Sequence, residues 1–366
     1  MSWKLIAIPA VVLAVAAAPL LSGADLDERI PVGPGGSMVA DIALGDALSF
    51  DRGSLRIRSH DAEDVRVRAD ASGWGQYAVQ LDLSRVEESV RLVGRVDGPL
   101  DWLFGGPRVS VRIWVPRDFA VEARIEGGPL GLEDLAGPIT ANVSGTESEV
   151  WLRGARGPVS VVAGRGGIEI EDVDGDLEVT SQGGSIEVTG VRGSLRVSTR
   201  GGSSVDVESV TGPVTVESED GQVRVEEVRG DVEVRAVSAH IDAEDVQGRV
   251  VARTGRGDIQ VEDVDGEVSL RTERGEIEVE FEGEPRGRVE TGRGDIEIEV
   301  SEGWGFALDA RTGRGTIELD AGETHGEERL RPDGILADAA AVVREVNGGG
   351  PSLHLRTGRG TIRVED

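Results

Sequence analysis

The sequence predicts an all-β fold: a β-solenoid, in the form of a single-stranded parallel β-helix with coils of about 18 residues. Two observations carry this. Glycines at 157, 175, 193, 212, 230, 248 and 266 stand 18, 18, 19, 18, 18 and 18 residues apart. Between them the chain repeats Gly-x-Val-x-Val, a turn, Gly-x-Ile-x-Val and x-x-Val-x, two period-two runs that each put aliphatic side chains on one face. Composition agrees, with 53 Gly among 366 residues and only six Trp, one Tyr and five Phe. A core of Val, Ile and Leu between glycine turns follows.

In chain order, residues 1–24 read as a secretory signal peptide. Lys4, the only lysine, supplies the positive start, Leu5–Leu21 is apolar, and Ser22-Gly23-Ala24 offers small residues before Asp25. The competing reading is an uncleaved anchor, but a run of 17 residues carrying Pro9 and Pro19 is short for a span. Residues 25–136 form an N-terminal antiparallel β cap. Most aromatics lie here: Phe50, Trp74, Tyr77, Trp102, Phe104, Trp114 and Phe119. Ser54–Arg58, Val65–Arg68 and Val109–Val115 alternate with period two, and Pro116 ends the last of them. Asp97-Gly98-Pro99 and Gly105-Gly106-Pro107 mark turns.

Residues 137–366 form the solenoid. In the cleanest copy, Gly248–Asp265, the inward set is Val250, Ala252, Ile259, Val261 and Val264, and the turn glycine is Gly257. A one-residue slip would put that set in water, so register is well specified. Residues 322–349 are an irregular excursion that covers or decorates the last coils, with a helix-tolerant run at 337–346. A final coil returns at Gly350–Asp366.

These residues carry a resemblance. The strand pattern Val-x-Ile-x-Val-Pro at Val111–Pro116, the Gly-x-Ile-x-Val coils and the late Gly348-Gly349-Gly350-Pro351 resemble the bacterial DUF4097 family of adhesin-like β-strand-repeat proteins. They are similar as well to the adhesin-type head domain with the GIN motif. Ala239-His240 in place of Gly-x, and the extra residue at Ser203-Ser204, depart from the repeat. The resemblance implies a non-catalytic envelope protein and brings no catalytic residue with it.

Charge and composition exclude several classes. With no cysteine, disulfides, thiolate metal sites and a Cys nucleophile are absent. A net charge of −29 repels nucleic acid and anionic membranes. Residues 25–136 carry 20 acids and 13 bases; residues 137–366 carry 48 and 25.

Four features invite a functional reading. Arg-Gly-Asp at Arg229–Asp231, Arg256–Asp258 and Arg293–Asp295 suggests adhesion, yet Arg314-Gly315-Thr316 and Arg359-Gly360-Thr361 fill the same turn without Asp. The tripeptide therefore reads as a by-product of the repeat. Acidic runs Glu171–Asp174 and Glu262–Asp265 read as solvated edges, with weak divalent-cation binding as the secondary reading, since the calcium nonapeptide is not complete. Trp304 reads as core where the coil widens. His60, His240, His325 and His354 are scattered without ligand spacing. No residue is nominated as catalytic, cofactor-binding or metal-ligating, and no cofactor is expected.

The function expected is therefore that of an exported, non-enzymatic scaffold or adhesin-like binding protein in the periplasm, at the cell surface or secreted. Its partner would be an unidentified envelope or surface ligand, protein or glycan, with no nucleic acid and no membrane insertion once the leader is removed. Two alternatives stand: a glycan-active β-helix enzyme, which needs paired carboxylates and aromatic platforms, and an envelope-stress or signalling accessory protein.

Overall fold

The computed structural model describes residues 11–16, 24–43, 53–72, 78–97, 108–145, 149–320, 324–328 and 340–365. Every regular element among them is a strand. The chain divides into two compact units, Met1–Gly184 and Ser185–Asp366. Both are β-solenoids in which most coils contribute two strands; in Leu195–Thr211, Val214–Arg229 and Val232–Gln247 the two run on as one.

In the first unit, Val159–Arg165 pairs in parallel with Ile139–Ser144 before it and Leu177–Gly183 after it. On the other side of the coil, Val150–Arg156 pairs in parallel with Leu130–Glu133 and Ile168–Asp174. The partner of Val150 is Ile168, 18 residues on, so the sequence period is the pairing register. In the second unit Val250 pairs with Val268 and Ile259 with Ile277, again 18 apart. All five residues assigned inward in this coil are buried at 0–1 % exposure: Val250, Ala252, Ile259, Val261 and Val264. An aliphatic ladder results, and each side chain adds about 1.5–3 kcal/mol by leaving water.

Coil order departs from chain order at both ends. In the second unit Gly287–Thr291 pairs with Ser352–Thr357, and Ser352–Thr357 pairs in turn with Phe306–Thr312. Ile296–Val300, Ile362–Glu365 and Ile317–Asp320 repeat this on the other side. The coil expected to finish the stack is thus wedged between two earlier ones. The first unit mirrors it: Ser37–Ala43 lies between Ser89–Asp97 and Ala120–Glu126, and Gly53–His60 lies between Arg108–Pro116 and Leu130–Glu133. Parallel stacking thus already joins strands upstream of Gly137.

Antiparallel strands cover the exposed edges, where unpaired backbone groups invite aggregation. Asp64–Ser72 runs antiparallel to Arg108–Pro116, with Ala24–Pro31 outside it. Ala78–Val86 does the same for Ser89–Asp97. Apart from Ala24, these antiparallel strands fall within residues 25–136, alongside the parallel pairs already described there. Val11–Ala16, inside the expected leader, pairs antiparallel with Ala78–Val86; residues 1–10 and 17–23 of that segment, Phe50, Trp74, Tyr77, Trp102 and Phe104, and the expected turns at 97–99 (beyond Asp97) and 105–107 lie outside the described residues. At the other end Ala340–Val346 pairs antiparallel with Phe306–Thr312, and Thr324–Glu328 with Ala340–Val346. The described part of the helix-tolerant run, Ala340–Val346, is therefore a strand: an open edge satisfies its backbone, and pairing overrides alanine's propensity.

The corner of each coil explains part of the acidic pattern. Asp134, Asp172, Ser209, Glu227, Asp245 and Asp263 all have φ between 52° and 57°, and Gly154 and Gly190, at 72° and 74°, fill the same corner. Asp and Gly tolerate this left-handed backbone; β-branched residues do not. Replacing Asp263 by Gly is expected to leave urea-unfolding stability within about 0.5 kcal/mol, whereas Asp263→Val costs about 1–2 kcal/mol. Equal midpoints for the two variants would refute the corner assignment.

Candidate functional site

The second unit carries a turn that recurs almost unchanged: Arg253–Gly257, Arg271–Gly275, Glu290–Gly294, Arg356–Gly360 and Arg311–Gly315, all reading Arg/Glu-Thr-Gly/Glu-Arg-Gly. The threonines point inward. Thr254, Thr272, Thr291, Thr357 and Thr312 are 2–5 % exposed. Their hydroxyls donate across to a neighbouring coil: Thr272 Oγ1 to Gly257 O at 3.1 Å, Thr291 to Gly275 at 2.9 Å, Thr357 to Gly294 at 3.0 Å and Thr312 to Gly360 at 3.0 Å. A buried hydroxyl left unpaired is costly, so each bond fixes the turn.

The same turns are joined through their arginines. Gly257 N donates to Arg274 O at 3.0 Å, Gly275 N to Arg293 O at 3.0 Å, Gly294 N to Arg359 O at 2.9 Å and Gly360 N to Arg314 O at 2.9 Å. Arg256, Arg274, Arg293, Arg359 and Arg314 thus form one in-register column with every side chain exposed. The preceding positions in that column are Ser238 and Asp220. Beside it on the flat face runs Arg253, Arg271, Glu290, Arg356 and Arg311. A shallow groove of about 510 Å³ lies along this second column, lined by Arg271, Glu273, Arg288, Glu290, Gly292 and Arg356 among others.

Charge is sorted between the two faces of these coils. The strands Val250–Thr254, Val268–Thr272, Gly287–Thr291, Ser352–Thr357 and Phe306–Thr312 carry five arginines, Arg253, Arg271, Arg288, Arg356 and Arg311, against Glu290 and Asp309. The opposite strands, from Ile259–Val264 to Ile317–Asp320, carry nine carboxylates and one arginine, Arg363. Arg363 sits 3.2–3.3 Å from Glu297, Glu318 and Glu365.

This crowding has an acid–base consequence. Burial, then Glu297, Glu262 and Glu299, pushes the Glu278 carboxyl above its usual range; burial, then Asp263 and Glu299, does the same to Glu280. Glu226 and Glu244 move the same way, burial first. An acid with a folded pKa above its unfolded value destabilises the fold when ionised, and that cost disappears as pH falls through the folded pKa towards about 4.3. Glu171, held low by its hydrogen bond from Arg153, acts oppositely, with stability lost as pH falls through its lowered value. Glu278→Gln is therefore expected to raise the unfolding midpoint at pH 7 by a few tenths of a kcal/mol after solvent screening, and to gain less than the parent on acidification to about pH 5. Urea titrations at both pH values check this; a lower midpoint at pH 7 contradicts it.

The first unit has a groove of about 440 Å³ with the residue types of a glycan site: Trp151, Glu133, Asp134, Glu169 and Glu171, with Arg58 and Arg153. The Trp151 ring occupies the space above Gly131, where a Cβ would meet its Cζ2 at 2.0 Å, and the Arg56 guanidinium lies 5.3 Å from the ring centroid. Three of the four carboxylates face an arginine. Arg153 Nε donates to Glu171 Oε2 at 2.5 Å, and Arg58 lies 3.5 Å from Glu133 and 3.9 Å from Asp134. An acid catalyst needs its pKa raised; Glu171 is pushed down, and the Trp face is partly taken by Arg56.

The remaining residues singled out in the sequence fall as follows. Each Arg-Gly-Asp is a coil turn. The Asp accepts a backbone N–H one coil on: Asp231 from Arg249 at 3.0 Å, Asp258 from Glu276 at 2.8 Å and Asp295 from Thr361 at 2.7 Å. Asp172 and Asp263 of the acidic runs are corners, and among the described residues no group of three or more acids or histidines is placed to hold a metal. His60 Nε2 is 2.6 Å from Asp64 O, and His354 faces Asp309 at 3.8 Å. Trp304, expected in the core, is 38 % exposed; Phe306 takes the buried place at 1 %. The signal for the threonine–arginine turn is the Thr-x-Arg-Gly recurrence at 254–257, 272–275, 291–294, 312–315 and 357–360, which the Arg-Gly-Asp comparison alone does not bring out.

The fold and these faces define a β-solenoid with ladder-like, charge-sorted surfaces. The Toastrack DUF4097 family's sequence profile matches residues 50–345, and the chain belongs to that family. None of the curated proteins matches it. Two solved structures are similar: a candidate cell adhesion protein from Clostridium sporogenes, with 8 % identity, TM-score 0.18, 93 % of this chain and 99 % of the other covered, and a candidate adhesin from Bacteroides fragilis, with 11 % identity, TM-score 0.20, 93 % and 97 % covered. At these scores neither likeness bears on shape or role. No helix among the described residues is long and apolar enough to cross a membrane.

Proposed function

We propose that the chain is an exported, non-catalytic binding protein of the cell envelope or surface, acting through the flat faces of its coils. The observation that carries this is repetition: the prominent surface features of the second unit are ladders copied from coil to coil. Catalysis needs one singular constellation, whereas a ladder matches an extended partner. The apolar leader supports export, and the arginine-paired carboxylates beside Trp151 weigh against the glycan-active alternative. Fusing residues 1–40 to a phosphatase that matures only outside the cytoplasm tests export; an inactive reporter would overturn it. Incubating residues 25–366 with soluble polysaccharides and measuring new reducing ends tests the rest, and release of reducing ends would make the protein an enzyme. Co-sedimentation of the same protein with isolated bacterial envelopes is the expected positive result.

A further inference from the structure

The turn column of the second unit names a ligand class. We propose that Arg256, Arg274, Arg293, Arg359 and Arg314, with the groove beside them, bind a linear anionic polysaccharide lying along the stack of coils. This deepens the reading of the chain as a binding protein and rests on it.

Like charges stacked in register repel, and several arginines elsewhere on the coils are neutralised by an acid on the neighbouring coil. Arg153 meets Glu171 and Arg224 meets Asp242, each one coil on, and Arg271 meets Glu290 at 2.6 Å. The five turn arginines and the neighbouring Arg253 and Arg356 have no ion pair or side-chain hydrogen bond among the described residues. In a chain of net charge −29, these seven arginines stand together on two adjacent columns, whereas other arginines without partners among the described residues, such as Arg156, Arg196 and Arg229, are spread over separate coils. Of the acids nearest in sequence, Asp258 and Asp295 accept backbone amides instead, Glu273 and Glu276 flank Arg274 without forming an ion pair with it, and Thr361 and Thr316 stand at the corresponding position in the last two turns.

Spacing and rigidity select the ligand. Consecutive arginines stand one strand spacing apart, so the column offers one cation every ~4.8 Å over roughly 19 Å. A chain with one carboxylate or sulfate per sugar ring presents anions at a comparable interval. The Thr hydroxyl and Gly–Arg backbone bonds hold the turns in register before any ligand arrives, which lowers the ordering cost of binding. Guanidinium presents a planar fork to carboxylate or sulfate. The groove of about 510 Å³ along the Arg271–Arg356 column gives a sugar backbone a seat beside the turns, with three arginines and two acids, Glu273 and Glu290, in its lining. The acidic opposite face disfavours a wide, densely charged polymer such as nucleic acid.

The test is a titration of residues 25–366 with polygalacturonate, dextran sulfate, neutral dextran and single-stranded DNA, at low and moderate salt. Binding to one or both anionic polysaccharides, weakened by salt and absent with neutral dextran, is expected; which of the two binds separates carboxylate from sulfate recognition. Changing all five turn arginines to Gln should weaken binding at least tenfold with an unchanged circular dichroism spectrum, and the five Arg→Lys changes should restore part of it. A control with Arg29, Arg91, Arg95, Arg156 and Arg165 changed to Gln, which removes the same charge, should bind as the parent does. No binding to either anionic polysaccharide, equal loss in the control, or tighter binding to DNA would each overturn the proposal. If the parent co-sediments with envelopes while binding neither polymer, the polysaccharide inference fails and the binding-protein reading stands; if it does neither, both fail.

Discussion

Deleting residues 348–366 is expected to release more of the chain than it removes. Their two strands lie between Gly287–Val300 and the coil formed by Phe306–Thr312 and Ile317–Asp320. Leu353, Leu355, Ile362 and Val364 are 0–1 % exposed there. At about 1.5–3 kcal/mol each, their loss removes roughly 6–12 kcal/mol of burial. The stranded coil has little to hold it, since Ile317 and Leu319 are only half-buried even with the wedge in place. Limited proteolysis with mass spectrometry should show cleavage throughout residues 301–347, while residues 185–300 stay protected. A point variant makes the same case without truncation. Leu355 stands between Val289 and Ala310, so Leu355→Ala should cost about 2–5 kcal/mol and open the same segment. If residues 306–320 instead re-dock on 287–300 and stay protected, the wedge is dispensable.

The wedge shows where the sequence stops informing. Coil length, strand pairs and inward residues follow from one period and one alternation, because a slip exposes every aliphatic side chain at once. Neighbour order does not follow. Leu353-x-Leu355 and Leu308-x-Ala310 carry the same pattern, so either fits against Val289, and only the closure of the ends decides. The same sameness hid the arginine turn: residues that recur in every coil read as scaffold, and only their missing partners mark them. Trp304 failed for another reason. Phe306 two positions on already fills the core, and alternation alone does not tell which of two aromatics turns in.

The tripeptide Arg256-Gly257-Asp258 separates scaffold from ligand residue by residue. Gly257 has φ of 123°, and a Cβ there would meet the Ala239 carbonyl oxygen at 2.1 Å, a backbone atom that cannot yield. Gly257→Ala is therefore expected to cost about 2–4 kcal/mol. Asp258→Ala removes one exposed bond to Glu276 N and should cost about 0.5–1.5 kcal/mol. Arg256→Ala should leave stability within about 0.5 kcal/mol, as its side chain has no partner among the described residues. Urea unfolding of the three variants gives the order. An adhesion motif would require Arg and Asp together at the ligand and would tolerate loss of either in the fold. A coil turn instead makes Gly indispensable, makes Asp a modest bond to the next coil, and leaves Arg alone free to bind. Equal stability losses at Arg256 and Gly257 would mean that the guanidinium is structural, and the polyanion column would lose its first member.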